Sequence, residues 1–332
     1  MAIRLNSGFN IPIVGLGVWR MEGKTIKDLI IDSINLGYRH LDCAANYGGN
    51  TQRRLKIDYD GNLRLYTRHN SSEKRWVVSW QVFSDSCKIH GQCGLNSLCS
   101  YDIKSGMLWN SDHGHVLEAC KDSLKKLHLD YLDLYLVHFP VATKHTGVGT
   151  TKTTLDEDGV LEIDTTISLE TTWHAMEELV SMGLVRSIGI SNYGVVLTRD
   201  CLAYSKIKPA VNQIETHPYF QRDSLVKFCQ KHGVFVTAHT PLGGATANTE
   251  LFGSISCLDD PILQDLARKY NKSVAQIVLR WGIQRNTAVI PKTSKVKRLK
   301  DNFQVFDFEL TKEDMDLIKT LDKELRTNQP AK

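Results

Sequence analysis

The 332-residue chain is 42% hydrophobic and 23% charged with a formal net charge of +4, a balance that excludes a disordered chain and suits one large α/β barrel or two ordinary domains. Its basic residues are spread along the sequence, which gives no case for nucleic acid or a membrane surface but is compatible with an anionic small substrate. Residues 1–10 carry Arg4 and Asn6 without a long apolar core, and no apolar run reaches bilayer length, so a cytoplasmic protein without a signal peptide is expected.

Residues 11–19 (IPIVGLGVW) form an apolar, glycine-punctuated strand. In residues 24–36, Ile26, Leu29, Ile30 and Ile34 fall on one helical face, and Gly37 stops that helix. Residues 38–43 (YRHLDC) read as a short buried strand that ends in a polar loop. The pattern breaks from about residue 51 to 104, a stretch rich in Arg, Ser, Asn and Cys. Residues 63–67 and 76–82 read as antiparallel strands there, and one βα repeat is expected to be absent or replaced. From about residue 115 the alternation resumes, with helices over residues 116–127, 168–182, 225–231, 261–270, 274–284 and 295–302. Strands are predicted over residues 131–139, 185–191, 210–214, 234–238 and 288–290. Such alternation implies a parallel sheet, either a closed eight-fold barrel or an open doubly wound sheet. No GxGxxG follows the first strand, which counts against the open dinucleotide-binding sheet.

Cys43, Cys120, Cys201, Cys229 and Cys257 stand singly in apolar or helical surroundings and read as reduced, buried thiols. Cys87, Cys93 and Cys99 crowd into one short stretch like a secreted disulfide module. With His90 they could alternatively bind zinc, but the spacing is not a standard structural set and no metal is expected.

The motifs GLGVW, YRHLDCAANY, LDLYLVHFP, GLVRSIGISNY, PAVNQIETHPY and AVIPKTS occur in this order and resemble the aldo-keto reductase family. The run from residue 137 to 191 looks like its plant aldose-6-phosphate reductase branch, acting on mannose 6-phosphate or sorbitol 6-phosphate. The resemblance implies a (β/α)8 TIM barrel with one βα repeat replaced by an irregular insert. It implies an N-terminal barrel part over residues 1–50, a foreign segment over 51–106, and the barrel remainder with its NADP-binding part over 107–332. The implied activity is NADPH-dependent reduction of an aldose phosphate to the alditol phosphate, by a monomer or weak dimer. A catalytically dead NADP-binding barrel and a mis-spliced chimera are the alternatives.

By the resemblance, Tyr47 matches the acid that protonates the carbonyl oxygen, Asp42 its buried aspartate and His138 the histidine that orients the carbonyl. A tyrosine of ordinary pKa about 10 needs a neighbouring cation to act near neutrality. The family places a T-K pair directly before LWNSDH; here Met107 stands at the lysine position, with Lys104 three residues away. Impaired catalysis is expected. The second helix and third strand of the barrel are also expected to be missing.

Ser191, Asn192 and Gln213 match positions that hold the nicotinamide carboxamide, and His239 the position of a ring-stacking tyrosine. Lys292, Thr293 and Ser294, then Arg298, Asp301 and Asn302, match the 2′-phosphate site that selects NADP over NAD; the second trio shares a helix face. Trp19, Trp109 and Phe139 match aromatic substrate walls, with core packing the alternative for each. Lys144 and His145 read equally as substrate-phosphate ligands or as surface charge. Relatives continue past the equivalent of residue 332, so a water-excluding lid is expected to be missing. Within the foreign segment, RRLKIDYDGNLRLYTR and RWVVSWQVFSDSCKIHGQCGLNSLCSY resemble the ectodomain of plant S-locus-type lectin receptor kinases, which implies a fused or mis-spliced gene.

Overall fold

The computed structural model describes residues 1–18, 23–43, 52–57, 63–68, 77–81, 97–100, 113–127, 129–142, 163–244 and 256–327. The chain opens with an antiparallel hairpin of β1 (Ala2–Arg4) and β2 (Asn10–Pro12). Leu5 and Ile11 of this hairpin pack with Leu134, Val211, Phe235 and Ala288, near the starts of later strands. Asn6 Nδ2 donates to the carbonyls of Pro209 and Gly233 at 3.0 and 3.1 Å. The hairpin therefore plugs the N-terminal end of the sheet and leaves the opposite end for a site.

The sheet wall starts with β3 (Leu16–Gly17) and β4 (His40–Cys43). An outer antiparallel sheet follows, made of β5 (Gln52–Ile57), β6 (Leu63–Arg68) and β7 (Val77–Gln81). The wall then continues through β8 (Ser97–Ser100), β9 (Leu132–Val137), β10 (Val185–Ser191), β11 (Val211–Glu215), β12 (Phe235–His239) and β13 (Thr287–Val289). All eight wall strands are parallel, in the order β3, β4, β8 to β13. The ends meet: Gly15 N donates to Val289 O at 2.9 Å, Val289 N to Ile13 O at 2.9 Å and Gly17 N to Pro291 O at 3.2 Å. The result is a closed (β/α)8 barrel.

This corrects one expectation. The third wall strand is not missing, because Ser97–Ser100 pairs with β4 over all four residues and with β9 at Cys99 and Leu134. The described residues between β4 and β8 include no helix; they form the outer sheet, which contains both antiparallel strands expected from sequence and adds β5.

The described helices are α1 (Gly23–Asn35), α2 (His113–Leu127), α3 (Leu169–Ser181), α4 (Val195–Tyr204), α5 (Asp223–Lys231), α6 (Pro261–Tyr270), α7 (Val274–Gln284), α8 (Val296–Phe303) and α9 (Lys312–Lys319). Local chemistry sets several ends. Ser168 caps α3 by accepting from Thr171 N, and Gly183 leaves it at φ 71°. Ser273 and Gln276 form a reciprocal capping box at α7. One core cluster joins α2 and α3 to the wall through Val116, Cys120, Trp173, Met176, Tyr135 and Ile188. Another joins α7, α8 and β13 to the first strands through Leu279, Leu299, Val289, Leu16 and Val18. Cys120, Cys201, Cys229 and Cys257 are free and buried, as expected. Among the described residues no helix is long and apolar enough to cross a membrane.

Candidate active site

The C-terminal ends of the wall strands bring distant polar residues together. Asp42 comes from β4, His138 from directly after β9, Ser191 from the end of β10, Gln213 from β11 and His239 from the end of β12. All five are buried. Gln213 Nε2 reaches across the barrel to within 3.5 Å of Asp42 Oδ1. Its Oε1 is buried without a hydrogen-bond partner, leaving one acceptor available for a donor from outside the chain. Ser191 Oγ donates to Gln213 O at 2.7 Å, which joins adjacent strand ends.

Asn192 adopts the left-handed region, φ 63°, which asparagine tolerates better than most residues. In that conformation Nδ2 donates to His138 O at 3.0 Å and to Ser191 Oγ at 3.2 Å, while Oδ1 lies 3.2 Å from His239 Nε2. The second ring nitrogen of His239 lies 3.0 Å from Thr240 Oγ1. Burial pushes the His239 imidazole down to about 4, so the ring is neutral at pH 7. His138 stacks on Phe139, with centroids 4.5 Å apart.

Beyond β13, Gly17 and Lys292 form the last bridge of the barrel seam. An added Cβ at Gly17 would stand 3.0 Å from Ile290 O, so glycine permits that close approach. Thr293 is buried and accepts from Lys295 N at 3.1 Å, shaping the turn into α8. Lys292, Ser294 and Arg298 are exposed, Asp301 is half-buried and Asn302 is buried. Trp19, Tyr47, Lys104, Met107, Trp109, Lys144 and His145 lie outside the described residues.

Sequence reasoning missed Glu215, at the end of β11 and fully buried. Its Oε1 accepts from His217 Nε2 at 3.1 Å and from Thr327 N and Oγ1, each at 2.7 Å; Arg326 Nε lies 3.7 Å from Oε2. Burial pushes this carboxyl up, but hydrogen bonds from His217 and Thr327 and nearby His239 outweigh it and bring it down to about 2. The available signal was a charged residue inside an otherwise buried strand, VNQIE.

A closed parallel barrel with polar side chains gathered at its C-terminal end, around an open acceptor, is the arrangement of a barrel enzyme. The aldo/keto reductase family matches residues 14–323, and the chain belongs to that family of oxidoreductases. A relative from Malus domestica, the NADP-dependent D-sorbitol-6-phosphate dehydrogenase, is 56% identical over 99% of this chain and 96% of its own length. Aldo-keto reductase family 1 member A1-A of Danio rerio is 36% identical over 98% of this chain and 90% of its own. Among solved structures, an aldo-keto reductase from Bombyx mori in complex with NADP superposes with a TM-score of 0.75 at 31% identity, covering 99% of this chain and 95% of that one. The aldose reductase from Schistosoma japonicum gives 0.76 at 32% identity, over 99% and 94%. The family match runs through residues 51–106 and gives no support to a receptor-ectodomain origin for that segment.

Proposed function

We propose that this chain is an NADP-dependent reductase that interconverts the carbonyl of an aldose phosphate and the alditol phosphate. The observation that carries the reading is the cluster of Ser191, Asn192 and Gln213, whose buried Oε1 lacks a partner at the C-terminal end of the barrel. A carboxamide N–H of nicotinamide supplies the donor this acceptor needs. The exposed cations Lys292 and Arg298, around the start of α8, suit a 2′-phosphate. NADP, when bound in its reduced form, supplies a hydride to a carbonyl carbon. His239, neutral at pH 7, offers a flat imidazole face beside the carboxamide cluster. His138 orients the carbonyl, and Tyr47 delivers the proton to its oxygen, with Asp42 as the buried carboxylate of the site. The name of the Malus domestica relative, 56% identical, supports the sugar-phosphate substrate.

The resemblance that aligns Met107 with the family's lysine supports a second feature, a slow enzyme. A phenol that has a carboxylate such as Asp42 as its neighbour and no cation to balance it is disfavoured as the phenolate. A tuned general acid contributes about 10² to 10⁴-fold, and much of that range is lost. The test is NADPH oxidation with mannose 6-phosphate or glucose 6-phosphate by the natural chain and by Met107→Lys. A faster Met107→Lys enzyme with unchanged NADPH affinity is expected. Equal rates would reject the slow-enzyme reading, and no oxidation by either chain would reject the reductase reading. We further propose that residues 51–106 are foreign to the family in sequence, although Ser97–Ser100 fills a wall position; transcripts across residues 45–110 that all lack the segment would support a mis-spliced origin, and transcripts that all carry it would reject that origin.

A further inference from the structure

Glu215 anchors the C-terminal segment at the barrel mouth: a single buried carboxylate oxygen holds two other parts of the chain, Thr327 and His217. The route to it is stitched along the loop after β11. Gln221 Nε2 donates to Ile318 O at 2.8 Å, Lys323 N and Leu325 N donate to Tyr219 O at 3.1 and 3.0 Å, and Thr327 then reaches Glu215.

Both groups held by Glu215 lie beside one short turn. Directly after His239, residues 240–244 include Thr240 at φ 52°, Gly243 at 71° and Gly244 at 66°. Gly243 N donates to Thr240 O at 2.9 Å. A Cβ added at Gly244 would stand 3.1 Å from Thr327 Oγ1, and one at Gly243 would stand 3.6 Å from His217 Nδ1 and 3.0 Å from Cys257 Sγ. Thr327 thus stands next to Gly244, and His217 and Cys257 next to Gly243. Thr240 Oγ1 is in turn within 3.0 Å of His239 Nδ1, so the position of the turn sets the position of the imidazole. The other ring nitrogen faces Asn192, a member of the carboxamide cluster.

We propose that Glu215 is a positioning residue for the nicotinamide end of the cofactor site, acting by clamping Thr327 and His217 against the 240–244 turn and so holding His239 in place. The inference rests on the NADP reading above. It requires that loosening the clamp affect the nicotinamide half of the ligand and leave the adenosine 2′-phosphate half, held around Lys292 and Arg298, unchanged.

The experiment compares Glu215→Gln, Thr327→Val and Thr327→Ser with the natural full-length chain. NADPH affinity is measured by fluorescence titration and 2′,5′-ADP affinity, which reports the adenosine half alone, by calorimetry. Thr327→Val keeps the shape of the side chain and removes one donor to a buried carboxylate, so it tests the clamp where Glu215→Gln fails to fold. Weakening of NADPH by about three- to tenfold is expected for Glu215→Gln and Thr327→Val, a part of what one charged hydrogen bond is worth. Unchanged 2′,5′-ADP affinity and near-natural NADPH affinity in Thr327→Ser are expected alongside. Natural NADPH affinity in Thr327→Val overturns the proposal, as does an equal loss for both ligands, which marks general loosening. Failure of the natural chain to bind NADPH overturns the NADP reading itself and the inference with it, an outcome distinct from the other two.

Discussion

Asn192 shows how one side chain can order several strand ends. Its left-handed backbone turns the amide back over the sheet, where it links His138 O, Ser191 Oγ and His239 Nε2. Arg298 works at the opposite extreme of exposure. It projects from the first turn of α8, and its value lies in charge rather than packing. Under the NADP reading, Arg298→Ala should raise the NADPH dissociation constant about tenfold, the scale of a charge-assisted contact reduced by solvent screening. NADH affinity should not change, because NADH lacks the 2′-phosphate. Parallel titrations by fluorescence check this, and an equal loss for both nucleotides would remove the argument.

The element that most needs testing is β8, which fills the third place in the wall with Ser97–Ser100. A proline inside a strand paired on both sides removes a ladder hydrogen bond and introduces a clash. Leu98→Pro should therefore cost about 1 to 3 kcal/mol, the scale of a buried backbone group left unpaired, and lower the unfolding midpoint. Lys56→Pro, on the edge strand β5 of the outer sheet, should cost far less. Thermal melts of the two variants that coincide would remove β8 from the wall. The same element marks the boundary of what could be read from sequence. The strands through VRSIGIS and YLDLYLVHF and the helices at residues 261–270 and 274–284 were legible because apolar periodicity and caps coincide there. SLCS carries neither signal: it is short, polar at both ends and set in a cysteine-rich stretch, and only its neighbours β4 and β9 make it a wall strand. The helix α4 escaped for a related reason, since its N-cap Gly194 offers no side-chain cap and it buries only Thr198 and Cys201. The strand-end residues Asp42, His138, Ser191, Asn192, Gln213 and His239 were legible through family motifs. Glu215 was not, because its partners Thr327 and Arg326 lie over a hundred residues away and only folding brings them together.

At the scale of the whole molecule, buried titrating groups at both ends of the barrel couple stability to pH. His40, buried next to Gly15, is pushed down to about 4 by burial, against a hydrogen bond with Pro12 O that raises it. His239, at the other end, is also pushed down to about 4 by burial. Each folded value lies below the ordinary 6.5. The unfolded chain therefore takes up these protons first as pH falls, and the stability present above 6.5 drains away between 6.5 and 4. Each histidine can account for roughly 3 kcal/mol over that window. Asp133 acts with the opposite sign. Burial raises it to about 6 despite Arg186, so its ionisation disfavours the folded state above pH 6, and protonation relieves that penalty as pH falls from 6 toward 3.8. Glu215, down at about 2, holds its contribution until pH falls below 4.5. Two histidines outweigh one aspartate, so these groups should make the unfolding midpoint fall as pH drops from 7 to 4.5. The sharper reading is a difference between variants. His40→Asn removes one coupled proton, so its stability-against-pH curve should be flatter than the natural one by up to about one proton between pH 6.5 and 4, whatever its absolute stability. Urea unfolding at several pH values measures both slopes. Parallel curves for the two chains would show that His40 takes up its proton equally in the folded and unfolded states, and would reject its burial as a source of acid sensitivity.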